Sequence, residues 1–339
     1  IEVSSEDFVR IGGLLYPKAG GRASGLGALP DWDGITPEDP PPPPPTTNTV
    51  SDITLLQAAI DAAKIGDVIL IPKGTYAVTS SITVRKGVTV AGETGDFNDV
   101  ILDANHKCRV AALNAGGILK NVTLYRGRIN GSGSGVTMGL GSRLLNCRVT
   151  GSVFLSTYNN SPNGVAVYNN GGKVVNSLID NNRCEKARYR AIGYFQEMGC
   201  INGCIISNNV AASTMLNDGY YSGNAGFQLN AGTMRNCIVT GNSQGNVTHI
   251  GISPGTGGYA AGKGARIINS LIYNNTYYGL YSGNIRGVNT DENASIINCV
   301  ILNNGSMDSP TQNFVGATRH RNNVSTADAV ANCTDSFEG

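Results

Sequence analysis

The chain has 339 residues, a net charge of +1, only 14% charged residues and 45 glycines. So even a charge balance gives no reason to expect nucleic acid or an anionic membrane surface as partner, and no apolar run approaches the roughly 18 residues of a membrane span. Sparse charge with abundant Gly and Asn suits stacked coils with many turns and little helix.

Residues 1–39 hold one strand-like run, Phe8 to Tyr16 (FVRIGGLLY), and a Gly-rich stretch through Pro30. Pro40 to Pro45 is unbroken proline, a stiff polyproline II spacer within a linker over 40–50. The arm carries the apolar Phe8, Val9, Ile11, Leu14, Leu15 and Tyr16. Such a segment can add a strand to a second copy of the chain, in a head-to-tail contact that does not close, or fold back along its own body. Self-association through the arm is the partner reading.

From Ser51 the pattern changes to SDITLLQAAIDAAKIGDVILIPKGTY. Ser51 or Asp52 caps a helix over 53–64, with Leu55, Leu56, Ala59, Ile60 and Ala63 on one face and Gly66 ending it. Asp67 to Ile71 reads as a strand and Lys73 to Tyr76 as the turn after it. Ile82 to Val84, Val88 to Ala91 and Val100 to Asp103 follow as further coils.

A short phrase then recurs: ILKNVTL, RLLNCRV, KVVNSLIDNN, CINGCIISNN, TMRNCIVTGN, RIINSLIYNN and SIINCVILNN. Anchored on Asn121, Asn146, Asn176, Asn202, Asn236, Asn269 and Asn298, the copies lie 25 to 34 residues apart, the spacing of one solenoid coil. β-branched residues closed by Asn and Gly, which tolerate a left-handed backbone, make each phrase a strand and bend. Stacked at roughly 4.8 Å, the coils bury their aliphatics, Ile268 and Ile297 among them, and pile the anchor asparagines into a ladder. Cys147, Cys237 and Cys299 share a phase with Ser177, Gly203 and Ser270, a column of small residues. Their separation by whole coils is the wrong arrangement for a metal, and nothing in the sequence asks for a cofactor. Residues 306–339 lose the phrase and keep Phe314, Val315, Val324, Val330 and Phe337 for an irregular cap.

Gly66, Asp67, Ile69, Ile71, Pro72, Gly74 and Tyr76 form a GD-x-I-x-I-P-x-G-x-Y strand and turn behind an amphipathic helix. This segment resembles the N-terminal cap and first coil of the pectate lyase-like, single-stranded right-handed parallel β-helix superfamily. The resemblance extends over residues 51–305 and implies an all-β, right-handed parallel β-helix whose open end the helix closes. It does not fix an activity, because that superfamily includes polysaccharide lyases, hydrolases, phage tailspikes and surface adhesins.

A calcium-dependent lyase or a hydrolase of that superfamily needs converging carboxylates. Between residues 100 and 305 the supply is Asp103, Asp180, Glu185, Glu197, Asp218, Asp291 and Glu292, with no D-x-D pair. A lyase can instead use basic groups to neutralise a uronate and abstract its proton. The run RCEKARYR offers Lys186, Arg188, Arg190 and Tyr189 beside Arg183 and Glu185, with His249 as a further member; its other reading is a solvated basic edge paired with Glu185 and Glu197. His106, His249 and His320 are isolated. Tyr220, Tyr221, Tyr277, Tyr278 and Tyr281, with Tyr158, Tyr168, Tyr189, Tyr194 and Tyr259, lie in the inserts and suit either glycan rings or a protein interface. Most of the eight cysteines read as buried thiols, with Cys299 and Cys333 the pair nearest to a bridge. The functional expectation is a secreted or surface-exposed structural or adhesive β-helix, self-assembling into filaments and touching glycans. Its alternative is a polysaccharide lyase acting on an acidic glycan.

Overall fold

The computed structural model describes residues 8–11, 14–17, 44–155, 163–185, 191–212, 224–244, 258–260, 264–277, 288–290, 295–302, 304–306, 314–315, 319–321 and 324–325. The chain forms two units, 1–45 and 46–339. In the first, the run expected as one strand divides at Gly12 and Gly13 into Phe8–Ile11 and Leu14–Pro17, which pair antiparallel with Ile11 opposite Leu14. Its backbone groups are therefore partly engaged within the arm. The side chains of Phe8, Val9, Ile11, Leu14, Leu15 and Tyr16 lie outside the described residues.

The second unit is a parallel β-helix. Among the described residues its strands stack into three parallel sheets, one long and two shorter, of which the second runs from Gly74–Ala77 to Val324–Ser325. The long sheet opens with Thr47–Thr49, which pairs in parallel with Val68–Ile71. Asp52 accepts from the Thr54 backbone N–H and starts the 3₁₀ turn Ile53–Leu55, which continues as the helix Leu56–Ala62. Leu56, Ile60 and Ala63 are buried on the first coil, but Leu55 is 58% exposed because the 3₁₀ turn rotates it off the apolar face. The motif Asp67 has a structural task. Its carboxylate accepts from the Thr46 and Lys64 backbone N–H groups at 2.8 and 2.7 Å, fastening the strand entry to the helix exit. The expected turn at Lys73 to Tyr76 is instead largely the strand Gly74–Ala77, paired in register with Val100–Asp103.

Strand alternation sets what is inside. The central inward column of the second sheet is Leu102, Leu124, Val149, Ile179, Ile206, Val239, Ile272 and Ile301, all fully buried. In the long sheet it runs through Leu119, Leu144, Val174, Ile201, Met234, Ile267 and Ile296. The expected core register is thus one residue off: Ile267 and Ile296 point inward, while Ile268 and Ile297 lie on the half-buried outer side. The chain past 306 continues the stack, with Arg319–Arg321 in register beneath Ser295–Ile297.

The asparagines divide into two sets. Asn121, Asn146, Asn176, Asn236, Asn269 and Asn298 take left-handed φ of 48–59° and turn the chain between sheets. In the fourth coil that place belongs to Gly203, φ 64°, because Asn202 pairs with Val175 one position earlier. The buried ladder comes from the closing asparagine of the last five phrases. Asn182, Asn209, Asn242, Asn275 and Asn304 pass amide bonds from coil to coil at 2.9, 2.9, 2.8 and 2.7 Å with no exposed surface. An amide both donates and accepts, so an in-register stack satisfies every member. No helix among the described residues is long and apolar enough to cross a membrane.

Candidate functional site

The long sheet carries a face of cations. Outward positions hold Lys120, Arg143, Lys173, Arg235 and Arg266, of which Arg143, Lys173, Arg235 and Arg266 are exposed. Arg143 sits directly opposite Lys173 on adjacent parallel strands. None of the five has an ion-pair partner among the described residues.

Beside this column the strands Val167–Val175 and Tyr194–Asn202 slip register around Asn170, a bulge that sets Glu197 on the outer side. Bulges of this kind re-aim side chains. Glu197 accepts from Asn230 Nδ2 at 2.8 Å, and Gln228 donates to Asn230 Oδ1 at 2.9 Å. On the same face the ring of Tyr168 stacks on Phe195, with centroids 5.7 Å apart and planes 19° from parallel. Tyr168, these amides and Glu197 therefore lie on, or directly after, strands of the same sheet as the Arg143–Lys173 pair, with Phe195 buried under the Tyr168 ring. Tyr168 belongs to a strand rather than an insert.

Tyr194, also expected in an insert, is fully buried beneath that surface. Its hydroxyl accepts from Asn169 at 2.8 Å and donates to Gln196, which in turn donates to the Ala231 carbonyl at 2.6 Å. Burial pushes the Tyr194 hydroxyl well above the ordinary phenol range. It is a neutral member of a closed network, not a base.

The outer face of the second sheet has the opposite character. Arg148 clasps Asp180 through two bonds of 2.9 and 2.6 Å, and Asn181 adds a third at 2.7 Å. Arg126 clasps Asp103 and lies 4.9 Å over the Tyr125 ring. The Arg126 guanidinium holds the Asp103 carboxyl below its usual range. Burial, assisted by Arg126 and Arg128, holds His106 below the usual imidazole range. Further along, Leu178, Ile205, Ile238, Leu271 and Val300 form an aliphatic column.

Most of the site residues expected from sequence are not among the described residues. Lys186, Arg188, Tyr189, Arg190 and His249 lie outside the described residues, as do Tyr220, Tyr221, Tyr278 and Tyr281; Tyr277 ends the strand Thr276–Tyr277, its side chain not among those described. The cation face was missed, although its signal stood in the phrases, three of which open on Arg143, Lys173 and Arg266. Cys108, Cys147, Cys200, Cys204 and Cys237 are free thiols. Cys299 is buried and bonded to the Ile297 carbonyl, while Cys333 lies outside the described residues. No group of three or more His, Cys, Asp or Glu converges on one point among the described residues.

No family model matches the chain, and no curated protein sequence does. Solved structures do. A pectate lyase is 14% identical over 86% of this chain and 82% of its own, with a TM-score of 0.42. A pectin methylesterase from Aspergillus niger is 13% identical over 87% and 90%, with a TM-score of 0.36. A polygalacturonase from Erwinia carotovora ssp. carotovora is 11% identical over 87% and 96%, with a TM-score of 0.34. The chain's own strand register is that of a parallel β-helix, and it is this register that carries the fold assignment.

Proposed function

We propose that this β-helix is a polysaccharide-acting protein that binds an acidic glycan along the outer face of its long sheet. The observation that carries the reading is the stacking of Arg143 on Lys173 with no acidic partner among the described residues. Like charges directly opposite each other across paired strands are destabilising, so folding alone supplies no reason for the pair. A polyanion laid along the coils removes that repulsion. Tyr168 and the amides of Asn230 and Gln228 complete a surface suited to sugar rings. Cleavage by elimination, the lyase step, draws on Lys186, Arg188, Tyr189, Arg190 and His249 as groups that neutralise the uronate and take its proton.

A second reading, a non-catalytic surface or filament subunit holding the glycan as an adhesin, is favoured by one observation. Between residues 100 and 305 the carboxylates whose side chains are described are already engaged, Asp103 by Arg126, Asp180 by Arg148 and Glu197 by Asn230. Assembly through the arm belongs to this reading, and loss of assembly on deleting residues 1–39 is its expected outcome.

One experiment tests the binding proposal and separates the two readings. The full chain is mixed with a panel of uronate polymers at low and high salt, with affinity electrophoresis for binding and ultraviolet absorbance for unsaturated uronate ends. Binding that weakens with salt, and is lost in the Arg143→Ala/Lys173→Ala variant, supports the proposal. Absorbing products establish the lyase, their absence under binding establishes the adhesin, and no binding at low salt overturns both.

A further inference from the structure

The residue just past the left-handed turn forms one column through consecutive coils, with Cys147, Ser177, Cys204, Cys237, Ser270 and Cys299 in order. Backbone N–H groups fix the alignment. Cys147 donates to Ser177 Oγ at 3.1 Å, Ser177 to Cys204 Sγ at 3.3 Å and Cys237 to Ser270 Oγ at 3.2 Å. The column therefore includes Cys204 where the sequence pointed to Gly203. Serine separates its other cysteines by two coils, roughly 10 Å, beyond the reach of a disulfide. Only Cys204 and Cys237 are on neighbouring coils, confirmed by the bond from Ile238 N to Cys204 O at 2.9 Å.

We propose that Cys204 and Cys237 are a modification site, joined by a disulfide that staples two consecutive coils. Adjacent parallel strands stand about 4.8 Å apart, inside the Cα window of roughly 4.4–6.8 Å that a disulfide spans. The two side chains leave equivalent positions in the same direction, and each S–H donates to the carbonyl two residues before it, Cys204 to Asn202 at 3.3 Å and Cys237 to Arg235 at 3.1 Å. The oxidant is a small-molecule disulfide of the glutathione class. Cys237 attacks one of its sulfurs and releases one thiol; the Cys204 thiolate then attacks the Cys237 sulfur of the mixed disulfide and releases the second. Two protein thiols lose two protons and two electrons, and the small disulfide is reduced to two thiols. Both residues are 1% exposed in the finished coil. The exchange therefore belongs to folding, before the coils close, and the completed bond is shielded from reductants.

The test refolds the denatured, reduced full chain in a glutathione redox buffer, quenches with acid, alkylates and maps the unreduced digest by mass spectrometry. The expected result is the Cys204 peptide joined to the Cys237 peptide with the loss of two hydrogens, stable to reductant until the protein is unfolded. Complete alkylation of both residues, or a bridge from either to a different cysteine, overturns the proposal. Cys204→Ser and Cys237→Ser place in the column a residue it already accepts at Ser177 and Ser270. Each should abolish the difference in melting temperature between oxidised and reduced protein, and Cys147→Ser should retain it. If a variant fails to fold, the wild-type peptide map still decides.

Discussion

The two outer faces of the solenoid use arginine to opposite ends. On the second sheet Arg126 and Arg148 reach across coils to Asp103 and Asp180, and each ion pair ties one coil to another. On the long sheet Arg143 lies against Lys173, and neither meets a carboxylate among the described residues. Stacking in register makes every outward residue the direct neighbour of its counterpart one coil away. A column is therefore cohesive where opposite charges are near neighbours and repulsive where like charges coincide. Cohesive charges hold the molecule together, whereas repulsive ones are left available to something outside it.

The largest expected effect tests the alternation that creates inner and outer faces at all. Ile267→Asp or Ile296→Asp buries an unpaired carboxylate and should destabilise by about 4 kcal/mol or more, whereas Ile268→Asp or Ile297→Asp should cost about 1 kcal/mol. Thermal melting of the four variants checks this, and equal losses would refute the register. Next comes the contrast between the faces. Arg148→Ala leaves the Asp180 carboxylate, only 7% exposed, with the neutral Asn181 amide in place of a cation and should cost about 2–3 kcal/mol. Lys173→Ala should change stability by no more than about 0.5 kcal/mol, since it removes repulsion rather than a partner. A Lys173→Ala loss as large as that of Arg148→Ala would erase the distinction.

Acid sharpens the same comparison more gently. Arg126 depresses Asp103, so this pair contributes stability that is complete above the unfolded carboxyl value of 3.8 and is lost as pH falls through the lowered folded value. The melting difference between wild type and Arg126→Gln should hold steady above that range and shrink below it. Arg143→Gln should give no such acid-dependent difference. The smallest effect concerns Ser152, buried at the head of the asparagine ladder, where its backbone N–H donates to Asn182 Oδ1 at 2.9 Å. Its hydroxyl has no hydrogen-bond partner among the described residues. Ser152→Ala should therefore stay within about 0.5 kcal/mol of wild type, and a loss above 1 kcal/mol would reveal a bond to the hydroxyl.

The fold was legible in the sequence because a solenoid repeats its local rules. Each phrase carries its own strand, left-handed turn and apolar position, and Gly66 to Tyr76 with the helix before it announces the cap. Local pattern could not resolve a one-residue phase. The phrase RIIN offers two adjacent isoleucines, and only pairing with the neighbouring coils turns Ile267 inward and Ile268 outward. CINGC likewise hides that Gly203, not Asn202, takes the left-handed turn. The candidate site was less legible still. Lys120, Arg143, Lys173, Arg235 and Arg266 are far apart in the chain, and the bulge that sets Glu197 outward exists only between two paired strands. The sequence by itself determined a repeating parallel β-helix with a helical cap, because those features depend on neighbours within a single coil. The tertiary structure alone decided which cations share a face, which carboxylates are clasped and which two cysteines stand on neighbouring coils, because each depends on register between coils 25 to 34 residues apart.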